Sequence, residues 1–226
     1  MRIVWIARPR RGLAVVVTAA SLAAFAVGSI ISLATAGAAP ARERAITPRA
    51  LAFHDAMRAL WESRGTWTER AIVDFVGGLP DTHLVVKRLL QNQGDIGNAV
   101  KPYYGARAGN HLTALLNGHI NAAVGVLKAA KSGDLAAVST ATAKFYANGN
   151  QVAGFLHTAN PRHWSLGAMR TMMRPHLNQV VALAADQLKG HYVAAITLYD
   201  RYIGHILDMA DMLSTGIMQQ FPARFR

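Results

Sequence analysis

Residues 115–124 read LLNGHINAAV and residues 172–181 read MMRPHLNQVV. His119 and His176 hold the same place in both, 57 residues apart, and Asn121 matches Asn178. In a chain with helical periodicity, a repeat of this length marks a duplicated helical hairpin, which cannot cover its own apolar face and must stack on its copy. The match extends beyond the histidines. With a shift of 56, Leu89, Asn92, Ile96 and Ala99 fall on Phe145, Asn148, Val152 and Phe155. Their spacing of three, four and three is a helical core stripe. A weaker third copy exists around Arg64, where Leu60-Trp61-x-x-Arg64 imitates Leu115-Leu116-x-x-His119. The expected fold is all-α: an antiparallel bundle of about six helices, built as three hairpins.

The punctuation of the chain gives the six segments. They cover residues 47–76, 81–101, 108–131, 134–158, 165–189 and 192–220. Gly77-Gly78-Leu79-Pro80, Lys101-Pro102 with Gly105, Ser132-Gly133, Asn160-Pro161 and Gly190 separate them, and Asp81, Asp134 and Ser165 stand where N-caps belong. All connections are short, so successive helices should be antiparallel neighbours.

A hydrophobic leader precedes this body. No charged residue lies between Arg11 and Arg42, and residues 13–35 are a run of apolar and small side chains behind Arg2, Arg8, Arg10 and Arg11. The basic flank stays in the cytoplasm, so the body after residue 40 is expected to be exported. Ala34-Thr35-Ala36 and Ala36-Gly37-Ala38 fit signal-peptide cleavage. The run is also long enough to span a bilayer. Residues 1–40 therefore read as a signal peptide cleaved near Ala38, which would secrete the body, or as a single transmembrane anchor holding it outside the cytoplasmic membrane. Residues 41–226 form the helical domain.

Composition narrows the chemistry. Cysteine is absent, which removes disulfides, thiol nucleophiles and zinc-finger ligands. The net charge is +12, of which the leader supplies four, and the remaining basic residues form no tract. Nucleic-acid binding needs a basic stripe with base-reading partners, so nucleic acid is not expected as a partner. General attraction to an anionic envelope or membrane surface is.

The most informative polar residues sit on apolar faces. His119 follows Leu112, Leu115 and Leu116 by seven, four and three residues, and His176 repeats this with Met169, Met172 and Met173. Asn92 and Asn148 do the same on the partner helices. Counted from the turns, Arg64 is level with Asn92 and His119 with Asn148. A buried polar layer of Arg64, Asn92, Asp95, His119, Asn148 and His176 follows as the candidate ligand-binding set. Two roles are open to it: a hydrogen-bonded network that fixes register, or the wall of a pocket with histidines as ligands or acid–base groups.

A narrower constellation joins His176, His205, Met172 and Met209. Six of the eight methionines lie between residues 169 and 218. Counted from the Gly190 turn, His176 is level with His205 and Met172 with Met209. Thioether and imidazole donors suit copper, Cu(I), or another transition metal, although methionine is also ordinary core filler. The motifs of zincins, di-iron bundles, phosphate loops and serine hydrolases are missing.

The strings LLQNQGDIGNAVKPYYG (89–105), FYANGNQVAGFLHTANPRHW (145–164) and LDMADMLSTGIMQQFP (207–222) resemble a family of small, functionally uncharacterised bacterial all-helical proteins. The resemblance covers nearly the whole body. Some members of that family carry the labels glycosyltransferase or acetylglutamate kinase, and no motif in this chain supports either. In the family's pattern a histidine stands at the position of Arg64 and acids at those of Gln151 and Ala195, so the resemblance implies an altered polar centre here. The expectation is an exported or membrane-anchored, non-enzymatic binding or envelope-associated module. The competing expectations are a metal-binding protein and an enzyme using the central histidines.

Overall fold

A computed structural model describes residues 46–226; the expected leader of residues 1–40 and its cleavage sites lie outside the described residues. Five α-helices follow one another: α1 (Pro48–Gly77), α2 (Thr82–Ser132), α3 (Leu135–Ala159), α4 (Leu166–Leu188) and α5 (Tyr192–Gln220), with a 3-10 turn at Pro222–Phe225. No strand occurs among the described residues. The all-α class matches the expectation. The count differs, because the segments expected at 81–101 and 108–131 are two arms of one element, α2.

The physical reason lies in a single residue. Only Gly105 leaves the helical region inside α2, at φ 81 and ψ 165. That conformation is essentially reserved for glycine. Helical hydrogen bonding resumes on both sides, so a kink replaces the expected loop. Pro102, three residues earlier, lacks an N–H and loosens the same turn. The arms then approach very closely. A Cβ on Gly97 would lie 2.7 Å from the Gly109 carbonyl oxygen, and one on Gly109 would lie 2.6 Å from that of Gly97. Two glycines thus let the backbones meet where no larger residue fits.

Two of the three expected N-caps, Asp134 and Ser165, cap with their side chains, and Thr47 caps α1 as well. Thr47 Oγ1 accepts from the Ala50 N–H at 3.1 Å, Asp134 Oδ1 from Ala137 at 2.9 Å, and Ser165 Oγ from Ala168 at 3.1 Å. Asp81 does not cap α2 with its side chain. Its backbone is already helical, at φ −87 and ψ 0, where an N-cap needs an extended residue to aim its oxygen at the following amides. Its carboxylate pairs with Arg70 at 3.2 Å instead.

Successive helices pack as neighbours and α5 closes back on α1, while α4 also reaches α1 and α2. The core repeats three times. Leu89, Ile96 and Val100 correspond to Phe145, Val152 and Leu156, and again to Tyr202, Met209 and Leu213, and all nine are buried. The hairpins are therefore α1 with the first arm of α2, the second arm of α2 with α3, and α4 with α5. The leading helix of each hairpin carries Arg64, His119 or His176 toward the centre. Among the described residues no helix is long and apolar enough to cross a membrane.

Candidate ligand-binding site

The three leading helices meet on a stacked column of rings. The His119 ring lies 4.6 Å from that of Phe145 and 5.6 Å from that of His176, centroid to centroid. The His176 ring continues to Tyr202 at 5.7 Å and to His205 at 6.5 Å. Arg64 reaches the column from α1. Its two Nη atoms stand 3.4 and 3.3 Å from His176 Nε2, and its guanidinium lies 5.4 Å from the Trp61 ring. Arg64, His119 and His176 are 3%, 2% and 1% exposed, which places a cation in the buried centre of the bundle.

Proton positions follow from the partners. A guanidinium can only donate, so His176 Nε2 accepts and the neutral ring carries its proton on Nδ1. Asn148 spends its amide N–H on the Leu115 carbonyl at 3.2 Å, leaving Oδ1 to accept from His119 Nδ1 at 2.9 Å. Burial, aided by the Arg64 charge and opposed by the Asn148 bond, holds the His119 pKa down to about 3. Burial also keeps His176 well below the ordinary imidazole range, reinforced by Arg64 and by the neighbouring His119 and His205. Burial lowers the Arg64 pKa as well, yet a guanidinium remains charged in such surroundings.

A hydrogen bond recurs across all three hairpins. Asn92 Nδ2 donates to the Leu60 carbonyl at 3.0 Å, Asn148 Nδ2 to that of Leu115 at 3.2 Å, and His205 Nε2 to that of Met172 at 3.0 Å. Each acceptor lies four residues before Arg64, His119 or His176. The returning helix of every hairpin thus clasps its leading helix one turn below the central residue. Sequence reasoning paired Asn92 with Asn148 and missed that His205, 57 residues beyond Asn148, is the third member. The repeat interval itself was the available signal, hidden by the change of residue type.

The expected polar layer is therefore assembled, with one exception. Arg64, His119, Asn148 and His176 are joined directly, and Asn92, fully buried, clasps the helix that carries Arg64. Asp95 does not belong to the layer. It is exposed and faces Arg88 at 3.9 Å, because its position falls outside the Leu89–Asn92–Ile96 stripe. The residues at the two positions where the resemblance implies acids are separated too: Gln151 is exposed and Ala195 is buried.

The set His176, His205, Met172 and Met209 does not fit a metal. His205 turns Nε2 to a backbone carbonyl, His176 turns Nε2 to a guanidinium, and the Arg64 charge opposes a second cation beside it. Among the described residues, no three His, Asp or Glu side chains are grouped to hold a metal ion.

A cavity of about 30 Å³ opens beside the layer. Arg64, His119, His176 and Trp61 border it, but its surface is almost wholly apolar, formed mainly by Met57, Met172, Met173, Met209 and leucine, valine and isoleucine side chains. It exceeds the roughly 10–15 Å³ that one water molecule requires. Trp164, buried beyond Asn160-Pro161, also lines it. Comparison with known proteins finds no family model that matches the chain, and no curated relative or solved structure significantly similar to it.

Proposed function

We propose that this chain is an exported, non-enzymatic binding module of the cell envelope, with the central cavity as its ligand site. The observation that carries the reading is a mainly apolar cavity bordered by the buried Arg64, His119 and His176 at the bundle centre. Ligand sites of helical bundles lie in such cores, built from facing side chains with a few convergent polar groups. The basic, apolar, A-x-A-closed leader supports export, and the body is either released near Ala38 or held at the membrane by residues 1–40. The resemblance to small bacterial helical proteins agrees with a module of this size.

Acid–base catalysis fits the site poorly. A general base works best with a pKa near the operating pH, and His119 is held near 3. No carboxylate pairs with His119 or His176 among the described residues to raise either one.

Two measurements test the binding reading. Native mass spectrometry of protein isolated from its own compartment is expected to show one small noncovalent adduct per chain, released on denaturation. Xenon NMR is expected to show saturable binding that Val152→Leu weakens by filling the cavity. Adduct-free protein with no saturable xenon site overturns the reading.

A further inference from the structure

Basic residues that are dispersed along the chain come together at one end of the bundle. Four segments meet there: the start of α1, the kink of α2, the loop between α3 and α4, and the 3-10 turn after α5. The Phe53 ring lies 5.0 Å from that of Tyr103 and 5.1 Å from that of Phe225, and Tyr104 lies 6.1 Å from Trp164. Arg224 Nη2 donates to the Pro102 carbonyl at 3.0 Å, and Arg49 Nη1 to the Arg224 carbonyl at 3.4 Å. These contacts gather Arg49, Lys101, Arg107, Arg162 and Arg224, all exposed except the half-buried Lys101. None of the five forms an ion pair among the described residues. No Asp or Glu occurs in residues 46–54, 96–110, 155–170 or 212–226. Arg226, whose carboxylate offsets its guanidinium, adds nothing net. Further along α1 and α5, Asp55 and Asp211 are engaged by His54 and Arg58. The opposite end is mixed, with Asp81, Asp134 and Asp186 at or beside its turns together with Lys131 and Lys189. Two exposed apolar side chains, Ile46 and Leu51, flank Arg49 in the chain.

We propose that this end of the bundle docks on a membrane surface rich in anionic lipid. This rests on the reading of the chain as a cell-envelope module. Charge selects the partner: each Lys or Arg held near negative headgroups adds to the attraction, and the effect fades beyond a Debye length. A guanidinium also matches phosphate oxygens in geometry. Ile46 and Leu51 supply apolar side chains of the kind that enter the headgroup boundary. The path of the chain selects the same end. The apolar run stops at residue 35, eleven positions before Ile46. A leader kept as an anchor therefore tethers this end of the body and not the other. A nucleic acid is the competing polyanion, and the aromatic side chains here pack on one another instead of offering a platform for bases.

Fluorescence quenching by lipid headgroups decides the matter. The chain has no cysteine, so Ala223→Cys at this end and Ala136→Cys at the other each carry a single fluorophore at an exposed position. The labelled protein, with whatever leader its own compartment leaves on it, is mixed with or reconstituted into vesicles whose headgroups bear a quencher. The label at 223 is expected to be quenched on phosphatidylcholine vesicles containing about one third phosphatidylglycerol. Quenching is expected to fall at least about threefold on pure phosphatidylcholine or in about 1 M salt. The label at 136 is expected to stay bright throughout. Arg107→Gln with Arg162→Gln, at exposed positions where substitution leaves the fold standing, is expected to reduce the quenching at least about twofold. Lys128→Gln with Lys189→Gln removes the same charge from the opposite end and is expected to leave it unchanged. Equal quenching on neutral vesicles or at both labels overturns the proposal, and so do equal effects of the two double variants. Saturable binding of a DNA fragment without quenching on anionic vesicles overturns it in favour of a nucleic acid. A protein found outside the cytoplasm that shows no quenching defeats the docking face alone, whereas a cytoplasmic protein with its leader intact defeats the envelope reading.

Discussion

His205 and Asn148 differ in chemistry and do the same work. Each sends one N–H to a carbonyl on the preceding helix, at 3.0 and 3.2 Å. Residue identity has diverged where only a donor at the right height is needed. The carbonyls also belong to helical ladders, so loss of a clasp does not orphan them. His205→Ala is therefore expected to cost about 1 kcal/mol of unfolding free energy, a typical net hydrogen-bond contribution. His205→Asn should cost less, since asparagine already serves at both other positions. Urea unfolding of the two variants measures the difference, and equal losses would show that ring packing matters more than the donor. The clasp also gives His205 a role without a metal. From the sequence, His205 looked like a ligand because imidazole chemistry is visible in one letter and hydrogen bonding to a distant carbonyl is not.

Among the elements, α2 carries the largest departure from expectation. The positions of Pro102 and Gly105 were legible as a break, and a break between two helices is normally a loop. What the letters do not show is that one residue suffices for the change of direction, because Gly97 and Gly109 let the arms meet backbone to backbone. At Gly105 itself a Cβ would meet nothing within 4 Å, so the cost of a side chain there is conformational alone. Gly105→Ala is expected to lower stability by about 1–3 kcal/mol, the usual penalty for a non-glycine residue held in such a conformation. Chemical denaturation checks the magnitude, and a neutral result would mean that the kink can relax without disturbing its hairpin. Asp81 makes the same point in a smaller way: its residue type suits a cap, but its backbone is already helical and its carboxylate is held by Arg70.

For the whole molecule, the buried histidines couple folding to pH. The unfolded chain takes up protons on imidazole below about 6.5, whereas folded His119 stays neutral down to about 3 and His176 is likewise held low. Their contribution is fully present above 6.5 and is lost as pH falls through that window. Each such histidine steepens the pH dependence of the unfolding free energy by about 1.4 kcal/mol per pH unit inside it. Between about pH 6 and pH 5, above most carboxylate titration, His119→Gln and His176→Gln are each expected to flatten the slope by about one proton. Urea midpoints across that range measure it, and an unchanged slope in both variants would mean that the imidazoles are not held neutral in the folded state. The sequence by itself determined the helical class, the hairpin repeat and the apolar faces that bury His119 and His176, because these follow from local periodicity and a fixed interval along the chain. Only the tertiary structure decided that Arg64 meets His176, that Asp95 stays outside, that His205 completes the clasp, and that a cavity opens beside an unpaired guanidinium. Those depend on helix rotation and on the height at which three hairpins meet, which contacts between distant segments fix and no local pattern records.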